Sequence, residues 1–149
     1  MINERYVTKL KFPISWLVAS VSMFTASYLW HGVFLNDFSK VEYHHGILFT
    51  ITAVVYLFIG FIVAKAYEIR LIPYLNIKPR IKGLAVGMFC GFIIYITTLV
   101  IGVSFTNHLT LDVMLFDMSW QVLEQSIGGV CVGYIHYIIF QLGYLHTDQ

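Results

Sequence analysis

The sequence predicts an all-α integral membrane protein, a four-helix bundle of spanning segments with both termini on the same side. Three observations predict it. Four apolar stretches of about 20 residues or more carry most of the 149-residue chain. The composition is 58% hydrophobic, 17% aromatic and 11% charged, whereas soluble domains carry roughly 25% charged residues. Eight of the nine Lys/Arg residues fall on one side of the stretches. A hydrocarbon core about 30 Å thick needs roughly 20 residues of helix. Barrel strands are shorter, about 10 residues, and alternate in polarity, which these runs do not. A chain of this length leaves room for one domain, residues 1–149.

The first span is read at residues 12–35, FPISWLVASVSMFTASYLWHGVFL, with Pro13 in its first turn, where a missing N–H costs little. The run is longer than a secretory leader's, and no small-x-small cleavage site follows it. The second span is read at 46–66 and the third at 83–105, with Pro73 and Pro79 punctuating the loop between them. The fourth is read at 120–144 and is the least pure, holding Gln121, Glu124, Gln125 and His136.

Orientation follows from the cations. Arg5, Lys9 and Lys11 precede the first span, and Lys65, Arg70, Lys78, Arg80 and Lys82 lie at or between spans two and three. The other side has Lys40 alone. By the positive-inside rule both termini are cytoplasmic, and loops 36–45 and 106–119 face outward. Trp16, Tyr67, Tyr74, Trp120 and Tyr144 suit an interfacial belt. The basic loop 67–82 reads as a solvated charge stripe, or as a docking site for anionic lipid or a partner. The cations are few and juxtamembrane, so no nucleic-acid partner is expected.

Gly83, Gly87 and Gly91 form a GxxxGxxxG ladder, and Gly129 and Gly133 form a second GxxxG. Small residues four apart let helix backbones approach closely in lipid. Both ladders therefore mark helix contacts, within one bundle or between copies. Cys90 and Cys131 differ by about 10 Å in expected depth at 1.5 Å per residue, so no disulfide is expected, and each acts as a small hydrophobe.

Ionisable groups inside spans are costly and point to function by default. His31 and Glu124 each fall about one turn from the outer end of their spans, at matching depth. With His44 and His45 they form a candidate metal set, since imidazole and carboxylate suit divalent cations such as zinc. The outward loops add Asp37, Glu42, His108, Asp112 and Asp117. The bland alternative is a satisfied interhelical contact between His31 and Glu124. Haem held by His31 with His44 or His45 is a further possibility near the outer surface. His31 and His136 are about 20 Å apart in expected depth, too far to share one iron.

Gln121, Gln125 and His136 share one face of the fourth span with Val132. This polar stripe reads as the inner face of a central helix, or as the path of a small transporter or channel built as an oligomer. No nucleophile elbow, HExxH or phosphate-binding loop is present in the sequence.

The segment SYLWHGVFLNDF, residues 27–38, resembles the hallmark of a family of small bacterial four-span membrane proteins of unknown function. Those carry a Trp-aromatic-x-x-Leu/Phe signature there and Gly-rich third and fourth spans. Trp30, His31, Phe34 and Leu35 occupy the matching positions. His31 stands where the family more often has Tyr, so the resemblance brings no metal role to it. It implies a four-helix membrane fold and no activity.

The leading functional reading is a small non-enzymatic protein of the bacterial cytoplasmic membrane, a homo-oligomer or an accessory subunit of a membrane complex. The rivals are an outer-face metal or haem protein and the oligomeric transporter.

Overall fold

The computed structural model describes residues 4–36, 44–69, 77–103 and 110–145. Asp37, Lys40, Glu42 and His108 lie outside the described residues, as do Arg70, Pro73 and Tyr74 of the basic loop. So do the side chains of Arg5, Lys9 and Tyr144.

The described residues are all helical apart from short connections. Helix α1 is Glu4–Ser27 and runs directly into a π-helical segment, Tyr28–Phe34. Helix α2 is His45–Glu68, α3 is Pro79–Val103 and α4 is Leu111–Leu145. Each contains a stretch long and apolar enough to cross a membrane: Leu10–Phe34, His45–Glu68, Pro79–Ile101 and Leu111–Gln141. In lipid only such closed backbone hydrogen bonding is viable.

Three helix starts differ from the sequence reading. Helix α3 opens at Pro79, expected in the loop, rather than at Gly83, because proline's fixed φ and missing N–H suit a first helical position. The helix of the first span begins at Glu4, so Pro13 lies inside it rather than in its first turn. The fourth begins at Leu111, nine residues before the expected start at Trp120. Asp112 and Asp117 lower the local hydropathy and read as loop, but both sit on the exposed surface of a helix whose Met114 N–H bonds to the Thr110 carbonyl.

The helices alternate in direction. Phe12 and Trp16 of α1 meet Phe61 of α2 edge-on at 5.5 and 5.8 Å. The Trp16 indole N–H donates to the Leu57 carbonyl at 2.7 Å. Farther along, Tyr28 reaches Phe49. Between these contacts Gly60 lies so close to Ser20 that an added Cβ would come within 3.1 Å of the Ser20 Cα. Trp16 and Tyr67 are thus tied into helix contacts, and the Tyr67 hydroxyl donates to the Pro79 carbonyl at 3.4 Å.

The two glycine ladders meet each other. A Cβ on Gly83 would collide with the Gly129 carbonyl, one on Gly87 would sit 2.8 Å from the Ser126 Cα, and one on Gly91 would sit 2.8 Å from the Val122 Cα. Gly133 abuts the Pro79 carbonyl. Backbone therefore lies on backbone along α3 and α4, the close approach that small residues permit in lipid.

Helix α4 is the hub. It packs against α1, α2 and α3, most extensively against α3. Met23 of α1 fills the hollow over Gly128, and the Cys131 thiol reaches the Ser22 hydroxyl at 3.4 Å. Helix α4 is the most covered of the four, its buried residues falling between Glu124 and Ile139, whereas α2 and α3 show most of their apolar surface outside. Phe58, Phe89 and Val100 are more than 60% exposed, a surface that suits lipid and not water.

Candidate functional site

Polar groups buried between these helices divide into two kinds. The small hydroxyls satisfy themselves on their own helix: Ser15 donates to the Phe12 carbonyl, Ser20 to Trp16 and Ser126 to Val122. Such back-bonding costs the helix little. Glu124 and Gln125 are too long for it and need partners from elsewhere. They are 1% and 0% exposed.

Glu124 lies near the middle of its span. At 1.5 Å per residue it is about 20 Å along from Leu111, in a span that runs on to Gln141. The Tyr56 phenol of α2 faces its carboxyl and also faces the Ser27 hydroxyl of α1, while the Trp120 indole faces the same carboxyl from one turn away on α4. Glu124 Oε1 and Trp120 Nε1 nevertheless have no hydrogen-bond partner among the described residues. Three helices thus enclose one carboxyl and leave it an unmatched oxygen.

The roof of this cluster is aromatic. Trp30 stacks on Trp120 at 4.3 Å and 14°, and Phe116, one turn earlier on α4, also packs on Trp30 at 5.8 Å. Trp30 belongs to the π segment, whose wider pairing is seen in the Leu35 N–H to Trp30 carbonyl bond at 2.9 Å. π turns are rare and recur at functional sites.

These contacts correct the expected matching depth of His31 and Glu124. Trp30 is level with Trp120, so His31 lies at that level, whereas Glu124 lies a turn farther along α4, at the level of Ser27 and Tyr56. The shift has one cause, the early start of α4. Trp120, expected in the interfacial belt, is part of the site.

The candidate metal set does not gather. His44 is the N-cap of α2, its Nδ1 accepting from the Gly46 N–H at 3.2 Å. His45 is the first, exposed residue of that helix. Among the described residues no three His, Cys, Asp or Glu side chains form a group that could hold a metal ion.

The stripe of Gln121, Gln125 and His136 is split between two neighbours. Gln121 and Gln125 face α3 at Gly91, whose added Cβ would meet the Gln125 Cβ at 3.1 Å. Neither polar atom of the Gln125 amide has a partner among the described residues. His136 packs on the Tyr67 ring of α2 at 4.7 Å, with its Nε2 buried and unpartnered among the described residues. Between them Gly129 is closed off by the backbone of α3 at Gly83 and Gly87. Within one copy the stripe is an inner face covered by packing.

Sequence reasoning missed Tyr56, Ser27 and the Trp30–Trp120 stack. Tyr56 sits in the run AVVYLFIG with nothing to mark it. The one available signal was the aromatic cluster of YLWHGVF itself.

Fold and site together define a small polytopic α-helical membrane bundle with a carboxyl enclosed at mid-span. No protein-family model, no curated protein and no solved structure matches the chain.

Proposed function

We propose that the chain is a non-enzymatic protein of the bacterial cytoplasmic membrane, both termini cytoplasmic, whose working site is Glu124 as a carboxyl that takes up and releases a proton. The observation that carries this reading is the unmatched Oε1 of a 1% exposed carboxyl at mid-span. An ionised side chain there costs about 2.5–3.5 kcal/mol on insertion scales. A purely structural contact would need no ionisable group. The Tyr56 hydroxyl and the Trp120 indole stand ready to donate to the ionised form, and the Ser27 hydroxyl faces Tyr56. The orientation rests on Lys11, Lys65, Lys78, Arg80 and Lys82 at the end where α1 begins and α4 finishes.

An apolar carbodiimide tests the site, because such reagents modify protonated carboxyls in apolar surroundings. Mass mapping of the protein in native membranes is expected to find the adduct on Glu124 and not on Asp112 or Asp117. Its yield falls as pH rises. No adduct at Glu124 at any pH would remove the proposal.

A second reading, a homo-oligomer or an accessory subunit of a membrane complex, is favoured by one row of side chains. Ile47, Ile51, Val54 and Phe58 are each 58–66% exposed on α2, and their steps of four, three and four place them on one helix face. Such spacing suits an in-plane helix contact. Val54→Cys in a background lacking Cys90 and Cys131 should give a disulfide-linked dimer in membranes, or a cross-link to a partner. A strictly monomeric mass, with nothing co-purifying and no cross-link, counts against it.

A further inference from the structure

The glycine ladders have a geometric by-product on the far side of α3. They draw α3 onto α4 until the backbones touch, and α2 does not follow. At the end of the bundle where α3 begins, α2 and α3 are bridged by the Tyr67 hydroxyl and the Pro79 carbonyl. Beyond that bridge they part, and an apolar groove of about 630 Å³ opens between them. Its walls are Ile62 and Ala66 of α2, Ile69 just past its end, and Ala85, Phe89 and Ile93 of α3. The volume falls in the range of about 300–1,000 Å³ typical of small-molecule sites.

One charged residue lines the groove, Lys82, within a turn of the start of α3. Its Nζ sits 4.4 Å over the Tyr67 ring. The nearby carboxylate, Glu68, is engaged by Lys65 at 3.2 Å, and Lys82 has no carboxylate partner among the described residues. Arg80 is turned the other way, over Tyr134 and Tyr137 of α4. The groove is therefore a hydrocarbon slot with one cation at the end where α3 begins, and that cation has no carboxylate partner among the described residues.

We propose that this groove binds an anionic phospholipid, one acyl chain lying between α2 and α3 and the phosphate at Lys82. Charge complementarity selects this occupant. A helix from a second copy would bring apolar side chains and leave Lys82 unmatched, whereas a phosphate completes it. Basic pockets between spanning helices on the cytoplasmic side are suited to such headgroups. The site is separate from Glu124, which α1, α2 and α4 enclose, and none of the groove's lining residues belongs to that cluster, so it stands whether or not Glu124 exchanges a proton.

Native mass spectrometry of the full chain in detergent, titrated with phosphatidylglycerol or phosphatidylcholine, tests it. The expected result is preferential retention of phosphatidylglycerol. Lys82→Gln should weaken phosphatidylglycerol binding about fivefold, which corresponds to about 1 kcal/mol for one cation near an anionic headgroup, and leave phosphatidylcholine binding unchanged. Ala85→Phe fills the slot and should weaken both lipids, while Lys78→Gln, outside the groove, should have little effect. Equal retention of the two lipids by the native chain overturns the proposal, as does Lys82→Gln binding phosphatidylglycerol as the native chain does. Ala85→Phe dissociating a dimer without loss of lipid also overturns it, in favour of a second copy as the occupant.

Discussion

The indoles of Trp30 and Trp120 lie 4.3 Å apart and 14° from parallel, one from the π segment after α1 and one from α4. This stack closes one side of the Glu124 cluster and fastens the end of the first span to the central helix. Stacked aromatic pairs contribute about 0.5–1.5 kcal/mol beyond their buried area. A double-mutant cycle with Trp30→Ala and Trp120→Ala, read by thermal denaturation in detergent, should return a coupling of that size. Additive losses would show the stack to be incidental.

Backbone contact along α3 and α4 leaves no room for side chains. Gly87→Ala places a methyl 2.8 Å from the Ser126 Cα, and both elements are rigid helix. Overpacking of this kind costs about 1–3 kcal/mol. Gly46→Ala is the control, because there the nearest atom is His44 Nδ1 on an exposed side chain at 3.3 Å. Thermal midpoints should fall for the first variant and move little for the second.

Tyr56→Phe keeps the ring and its edge-on contact with Phe24 at 6.1 Å and removes the hydroxyl that faces Glu124. Interhelical polar contacts in membranes average about 0.6 kcal/mol, so the stability change should be small. The carbodiimide reaction at Glu124 should nevertheless become faster, since the neutral acid gains where a donor to the carboxylate is lost. An unchanged rate would place Tyr56 outside the site's chemistry.

Trp16→Phe removes the donor that meets the Leu57 carbonyl at 2.7 Å. The loss should be about 1 kcal/mol and local. Hydrogen exchange should rise around Leu57 and Phe61 and stay unchanged in α3.

Topology is open to a direct reading. Reporter fusions after residue 149 should report cytoplasm, and an insertion near Lys40 should report the outside. Reversal of either result would refute the orientation inferred from the cations.

Much of the architecture was legible because length and apolarity alone decide a span. The glycine ladders could be read as contact surfaces for the same reason, since in lipid little else draws two helices together. Helix rotation was not legible. A span such as ITAVVYLFIGFIVA has no polar face to say which side looks inward, so the pairing of Tyr56 with Glu124 emerges only from packing. The start of α4 was lost because Asp112 and Asp117 resemble a loop by hydropathy. That one boundary displaced Glu124 outward and brought it level with His31.

The central position of α4 bears on the order of synthesis. It is the last of the four helices to leave the ribosome, and it is the main partner of α3. At about 5–20 residues per second, α3 waits for roughly 2–8 seconds with Gly83, Gly87 and Gly91 facing lipid or an insertion factor. The pair α1 and α2 can close first, but α3 gains its main partner only when α4 arrives.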